Sequence, residues 1–388
     1  MKQYVFISLF ISLITISFIA IINYIVDPID IFGSTKYKYF NAVKPSLETH
    51  IRTWKAYKLN EHPDTILLGT SRIMQGIDPT NANFASHHVF NCGIAGGLPF
   101  EFEYFFDKAL KNGKLKTVII GLDEHAFYYR NLSTPDFKIS DFDTNIFSKY
   151  TYLFSVDIFQ ESIQTILKQH SRIPFLSNGL QNDLIAQDYV NNFGHHNKFL
   201  LSEAGYRTHD YSSKIRDEHQ LEHFKAFSRL LIKAHKNNVQ TILFISPSHA
   251  RQWEVLDSTI GFDKLEKWKR NIVKINEKTA KNMGKRPFVI WDFSSYNELT
   301  TEPVPPLNDH TTQMEWWWDS NHYKIKLGNI ILDRMFNTNF HNGMDYPDFG
   351  VKLTSENIEQ HLSLLRKQRQ AWQRLHPEDI KAIQSLKH

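Results

Sequence analysis

The sequence predicts an α/β fold carried behind one membrane helix, and three observations predict it. Residues 4–26 contain no charged side chain and are long enough to cross a bilayer as a helix. Residues 65–70, 88–94, 117–123, 241–246 and 288–293 are apolar runs without strict alternation, as expected of strands covered on both faces. Helical patterns at 100–111, 221–236 and 262–283 fall between the runs, which is the βαβ rhythm of a parallel sheet. With 388 residues, 41% hydrophobic and 14% aromatic, the chain has ample material for a core.

In chain order, residues 4–26 form the anchor. No small-x-small cleavage pattern follows them, so an uncleaved anchor is expected. Residues 27–60 read as a Gly/Pro-punctuated, aromatic-rich linker with a lead-in helix near 47–59. A body spans 61–338, interrupted at 128–222 by an insertion that mixes one helix (155–169) with polar loops and reads as a lid or substrate-facing cap. Residues 339–388 form a helical tail, an amphipathic helix with a shorter one behind Pro377, that packs on the body. There is no internal repeat and no low-complexity tract.

Net charge is +4, from 45 basic and 41 acidic residues without a basic block, so no nucleic-acid footprint is present. Cys92 is the single cysteine, which excludes an intramolecular disulfide and a cysteine-based zinc cluster. Lys2 precedes the anchor while Lys36, Lys38 and Lys44 follow it, so charge alone does not send the body outward.

The stretch Gly69-Thr70-Ser71-Arg72 places a serine at the carboxyl end of the first expected strand, where open α/β sheets put their ligand sites. Near the other end of the body, Asp319-Ser320-Asn321-His322 sets a carboxylate three residues before an imidazole, within one turn of it. Serine attack on an acyl carbon needs a base, a carboxylate to orient that base, and N–H donors for the oxyanion. Ser71, His322 and Asp319 suit the serine, the base and the carboxylate, although each short motif also occurs by chance. Asn91-Cys92-Gly93-Ile94-Ala95-Gly96-Gly97, directly after the second expected strand, is a loop whose backbone N–H groups can approach a ligand, or a plain turn.

On these residues the chain resembles the SGNH (GDSL-like) hydrolase superfamily. GTSR stands where that family has its nucleophile block, NCGIAGG where it has its oxyanion glycine, and DSNH where it has its closing Asp-x-x-His. The resemblance covers residues 65–335 apart from the insertion and implies a three-layer α/β/α, flavodoxin-like fold. It also implies Ser71 as nucleophile, Gly96 as an oxyanion donor beside the N–H of Ser71, His322 as base and Asp319 as its orienting partner. No cofactor and no metal are implied. Asp123, in Gly121-Leu122-Asp123-Glu124, stands where the family has an oxyanion asparagine, and an ionised carboxylate cannot donate a hydrogen bond. Either Asp123 is protonated or it has a structural partner such as Arg72, the second needing no large pKa shift.

Membrane-tethered members that O-acylate cell-envelope polysaccharides are similar in their N-terminal span and altered third block. This likeness implies O-acyl (acetyl) transfer, a body in the periplasm or otherwise outside the cell membrane, a glycan acceptor, an acyl donor and a membrane protein delivering the acyl group. An esterase or deacetylase of the same fold, and a catalytically silent scaffold of a glycan export complex, remain alternatives.

Three further features lie outside these blocks or beside them. His219-Gln220-Leu221-Glu222-His223 fits H-x-x-E-H, a zinc-hydrolase pattern, but Leu221, Phe224, Phe227 and Leu231 are expected to form the buried stripe of that helix, with His219 and His223 on the wet side. Trp316-Trp317-Trp318 offers aromatic surface for a sugar ring, or core packing, with Trp318 beside Asp319. His249, after the fourth expected strand, is either a substrate contact or a satisfied loop histidine.

Overall fold

The computed structural model describes residues 1–129, 137–142, 146–208 and 217–386, which fall into two compact units. The first comprises Met1–Glu61 with Asp136–Ser177, the second His62–Pro135 with Asn178–His388. Residues 128–222, read from sequence as one insertion, are therefore shared between the two units, and the segment 27–60 is part of a folded unit.

In the first unit, α1 (Lys2–Val26) has a mean hydropathy of 2.8 and is, among the described residues, the one helix long and apolar enough to cross a membrane. Its last turn is anchored by the buried Asn23, whose amide donates to the carbonyls of Leu153 and Ser155 at 2.9 Å and accepts from Ser162 Oγ. These partners belong to α6 (Ile146–Leu153), α7 (Val156–Leu167) and the joint between them. Beyond α1, Asp27 adopts a left-handed conformation and its carboxylate accepts from the N–H groups of Ile31, Phe32, Gly33 and Ser34. Lys44 donates to Val26 O at 2.5 Å, and burial pushes its ammonium down to about 8 although Asp27 opposes this. The lead-in helix α2 (Ile51–Lys58) follows a short 3-10 turn, Pro45–Glu48.

The second unit is built on a six-stranded sheet, mostly parallel, in the order β2-β1-β3-β4-β5-β6. Its strands are β1 (Thr65–Leu68), β2 (Val89–Asn91), β3 (Thr117–Leu122), β4 (Gln240–Ile245), β5 (Val289–Asp292) and β6 (Val351–Lys352). The first five are parallel and coincide with the expected apolar runs, shortened at their carboxyl ends where the chain turns into loops. β6 was not expected. It lies antiparallel to β5 through Trp291↔Lys352 and Asp292↔Val351.

Both faces of the central strands are buried, which explains the absence of alternation. Leu67, Ile119, Phe244 and Trp291 point into a core shared with Ile73, Ile77, Trp317, Tyr323, Leu327 and Ile331. Of these, Ile73 belongs to α3 (Ser71–Gly76) and Leu327 and Ile331 to α12 (Ile325–Phe336). Each fully buried aliphatic side chain of this kind contributes about 1.5–3 kcal/mol of transfer free energy. α3 and α12 approach closely because Gly328 has no side chain, since a Cβ there would lie 1.8 Å from Gly76 O. Elsewhere α4 (Pro99–Lys111), α9 (Asp217–Lys236) and α11 (Phe262–Asn282) pack side by side. Phe127, in α5 (Glu124–Tyr128), sits 5.1 Å from Phe224 and 5.8 Å from Trp268.

The buried stripe of α9 differs from expectation. Leu221 is 53% exposed while His223 is buried, with Nε2 3.3 Å from Tyr129 O. The stripe is centred on Phe227, Leu230, Leu231 and Ala234; relative to Phe227, His223 lies about 40° round the helix and Leu221 about 120°. α8 (Leu184–Thr208) is helical where polar loops were expected, and it changes direction at Gly194. The unit closes with α10 (Ala250–Thr259), α13 (Ile358–Leu375) and α14 (Pro377–Ser385), the last two being the helices read from the tail.

Candidate active site

The sheet order reverses around β1, with β2 on one side and β3 on the other, and open α/β sheets bind ligands at the carboxyl ends of strands beside such a point. Ser71 emerges there. After β1, Thr70 caps α3, its hydroxyl accepting from Arg72 N–H, and α3 begins at Ser71. The Ser71 N–H is left without a hydrogen-bond partner among the described residues, as the first N–H groups of any helix are.

His322 comes from a tight loop closed by Trp318 N–H to His322 O at 2.9 Å and Lys324 N–H to Trp316 O at 2.7 Å. At its tip, Asp319 accepts from the backbone N–H groups of Asn321 and His322, a local turn that aspartate favours. That turn brings His322 Nδ1 within 3.0 Å of both carboxylate oxygens of Asp319. The other ring nitrogen, Nε2, is 2.8 Å from Ser71 Oγ. Asp319 is buried; burial raises its pKa, but His322, Lys198 and the turn N–H groups outweigh burial and hold it well below the usual carboxylate range. With Nδ1–H donated to Asp319, His322 Nε2 is free to accept the Ser71 proton.

Arg72 ties the serine turn to this loop. Fully buried, it donates from Nε to Asn321 Oδ1 at 2.9 Å and from Nη1 to Asp123 Oδ1 at 3.2 Å, with Nη2 3.5 Å from Glu124. Burial disfavours its charge, but Glu124 and then Asp123 overcome that and keep it protonated. Burial likewise raises the Glu124 carboxyl, yet Arg72 and His125 bring it down to about 2. Asp123 also accepts from the Thr70 hydroxyl, so both of its oxygens are engaged. As an acceptor on both sides it has no proton to offer an oxyanion.

Gly96 lies on the exposed loop after β2, whose base is hydrogen-bonded to the serine turn through Ile94 N–H to Gly69 O at 3.1 Å. Its φ of +60° suits a residue without Cβ, and nothing lies within 4 Å of where one would be. Like that of Ser71, the Gly96 N–H has no hydrogen-bond partner among the described residues.

The structure thus brings Ser71, His322 and Asp319 together, ties Arg72 to Asp123 and to Asn321 of the same loop, and places Gly96 on the adjoining loop. The His249 N–H donates to Ser320 O at 3.0 Å in the Asp319 loop, but its ring is 2% exposed, with Nε2 donating to Glu302 O at 2.8 Å and Nδ1 accepting from Arg251 N–H as the cap of α10. Burial pushes its pKa down to about 4, so it is a neutral scaffold residue with neither nitrogen open to a substrate. Trp316, Trp317 and Trp318 are all buried. Trp317 donates to Leu299 O, and Lys324 Nζ stands 4.3 Å over the Trp318 ring. His219 and His223 remain on α9, where Glu222 pairs with Lys225.

Two residues that sequence reading missed belong to the site. Lys198 Nζ lies 3.7 Å from Asp319 Oδ2. His195, one turn earlier on α8, accepts from Met314 N–H and bonds Trp318 O at 3.2 Å, holding α8 against the Asp319 loop. Neither lies in a motif, because both meet the site from a helix far away in sequence. Asn321, the clamp for Arg72, stands inside Asp-Ser-Asn-His, but the sequence assigned it no role.

No protein-family model matches the chain, and no curated protein matches it.

Proposed function

We propose that the chain is a membrane-anchored serine acyltransferase of SGNH type, a three-layer α/β/α protein that moves an O-acyl group, most simply acetyl, onto a cell-envelope polysaccharide. The carrying observation is the hydrogen-bonded series Ser71–His322–Asp319, at 2.8 and 3.0 Å, with the N–H groups of Ser71 and Gly96 open beside it. The parallel strand order 2-1-3-4-5 is that of flavodoxin-like sheets and supports the fold assignment.

In this reading Ser71 Oγ attacks the acyl carbon of the donor while His322 Nε2 takes its proton, and the Ser71 and Gly96 N–H groups hold the oxyanion. Collapse breaks the bond to the leaving group, which receives the proton from His322. The acceptor hydroxyl then gives its proton to His322 and attacks the acyl-enzyme, restoring Ser71. Arg72 acts through Asn321 as a positioning residue, and α1 tethers the body outside the cell membrane, where the polysaccharide is.

The test uses the full chain in detergent with a serine-directed phosphonate. Wild type should be labelled on the peptide carrying Ser71, and Ser71→Ala should not be. Labelling elsewhere, or acyl turnover by Ser71→Ala, overturns the mechanism. Release of the acyl group to water whatever sugar is offered makes the protein an esterase.

A further inference from the structure

A cavity of about 190 Å³ opens beside the triad. Three of its lining residues adjoin the triad. Gln75 stands one turn after Ser71 on α3, Trp318 immediately precedes Asp319, and Lys198 lines the cavity while reaching to 3.7 Å from the Asp319 carboxylate. Gln181, Asn182, Asp183 and Tyr189 supply the rest of its polar lining. The backbone there is rigid, with Gln181 N–H donating to Met74 O at 2.9 Å and the turn at Asn182 starting α8.

We infer that this cavity is the acceptor subsite and that it takes one neutral, hydroxyl-rich sugar ring, presenting a hydroxyl to the acyl group on Ser71. The inference rests on the acyl-enzyme reading above and names its acceptor. Three features of the lining support it. Carboxamides at Gln75 and Gln181, the carboxylate of Asp183 and the phenol of Tyr189 mix donors with acceptors, as a ring of hydroxyls requires. The half-buried Tyr189 adds aromatic surface for the C–H groups of a pyranose, while Trp318, buried with Lys324 Nζ over its ring, closes the wall. The volume is below the roughly 300–1,000 Å³ of sites for drug-sized ligands, so it suits one sugar unit and not an oligosaccharide.

Charge decides against an acidic sugar. Of the described lining residues Lys198 is the only cation, and it is already shared with Asp319, while Asp183 is an exposed carboxylate that repels a uronate and offsets Lys324, the cation over the Trp318 ring. A buried hydroxyl or carboxylate partner left without its hydrogen bond would weaken the complex, which makes the polar lining a determinant of the acceptor.

Two measurements on the full chain in detergent test this separately from the chemistry. Saturation-transfer NMR on Ser71→Ala protein should show methyl β-glucopyranoside bound, methyl glucuronide bound at least about tenfold more weakly, and the neutral glycoside lost in Gln181→Ala or Asp183→Ala proteins of unchanged melting temperature. With wild type and p-nitrophenyl acetate, the neutral glycoside should accelerate release of the acetyl group saturably after the p-nitrophenol burst. Stronger binding of the uronide, or equal binding by the two variants, overturns the inference. A burst with no glycoside binding overturns it alone, whereas glycoside binding without a burst retains the sugar site and overturns the Ser71 chemistry.

Discussion

Two Asp–His–Ser groups stand in the sheet unit, and they are wired differently. In one, Asp319 holds His322 Nδ1 and His322 Nε2 faces Ser71, with the His322 side chain 19% exposed. In the other, at the end of β5, Asp292 is the hub: Lys269 Nζ donates to it at 2.6 Å, His361 Nε2 lies 2.9 Å from it, and the Ser294 hydroxyl donates to the same carboxylate. Lys269 also reaches Ser294 Oγ at 2.6 Å, and the whole cluster is buried. In the second group serine and histidine each point at the carboxylate and not at one another, and a buried ammonium seals it. Residue types alone do not make a nucleophile. A base aligned between carboxylate and hydroxyl is what separates the proposed chemical site from a structural knot joining β5, α11 and α13.

The largest expected difference between the two groups is at serine. Ser71→Ala should lower acylation by roughly 10⁴ to 10⁶-fold, measured as the burst with an activated ester, whereas Ser294→Ala should leave it within a few-fold. Comparable losses from both would erase the distinction.

Next come the carboxylates, where the same substitution should separate activity from stability. Asp319→Asn keeps an acceptor for the turn N–H groups but fails to hold the imidazolium, so turnover should fall about 10⁴-fold in a folded protein. Asp292→Asn strands the buried Lys269 charge and should cost about 3–5 kcal/mol in denaturant unfolding while turnover per folded molecule changes little.

A third histidine sharpens the contrast through pH. His249 is held neutral with its pKa down at about 4, so the unfolded chain binds its proton first and stability is lost as pH falls from about 6.5 toward 4. Between pH 7 and 5 the loss should be about 2 kcal/mol. His249→Asn, which keeps the cap of α10, should remove that share of the slope in thermal unfolding and leave the share of His195, whose pKa burial also pushes down to about 4. Asp292 and Asp319 act in a lower window. Burial raises each, but Lys269 and His361 around Asp292 and His322 around Asp319 hold both below the usual carboxylate range, so their stabilising contribution is present above about pH 4 and lost below it.

The smallest effect is expected at Asp123. Asp123→Asn retains an acceptor for Arg72, and Glu124 still faces the guanidinium, so the cost should be about 1–2 kcal/mol with activity changed by less than about tenfold. A folded but inactive Asp123→Asn protein would show that the carboxylate itself takes part in the reaction.

How legible the molecule was depended on the range of the interaction. The five parallel strands were readable because a strand buried on both faces must be apolar throughout, and Ser71, Asp319 and His322 were readable because each sits in a short block with its own local geometry. Lys198 and His195 were not, since they reach the site from α8 and no spacing links them to Asp319. The β6 pairing escaped because two residues carry no periodicity, and Leu221 and His223 were misplaced because the edge of a stripe is set by the neighbouring helices.

By itself, then, the sequence determined what local chemistry can determine: an apolar segment of membrane length, strands with two buried faces, a serine on a sharp turn and an aspartate whose turn carries a histidine three residues on. The tertiary structure decided which polar groups meet. His249 and His322 both follow glycine-poor, polar loop segments, yet one is closed in between Glu302 O and Arg251 N–H while the other faces Ser71, because hydrogen-bond partners distant in the chain are chosen only when the sheet and helices have packed.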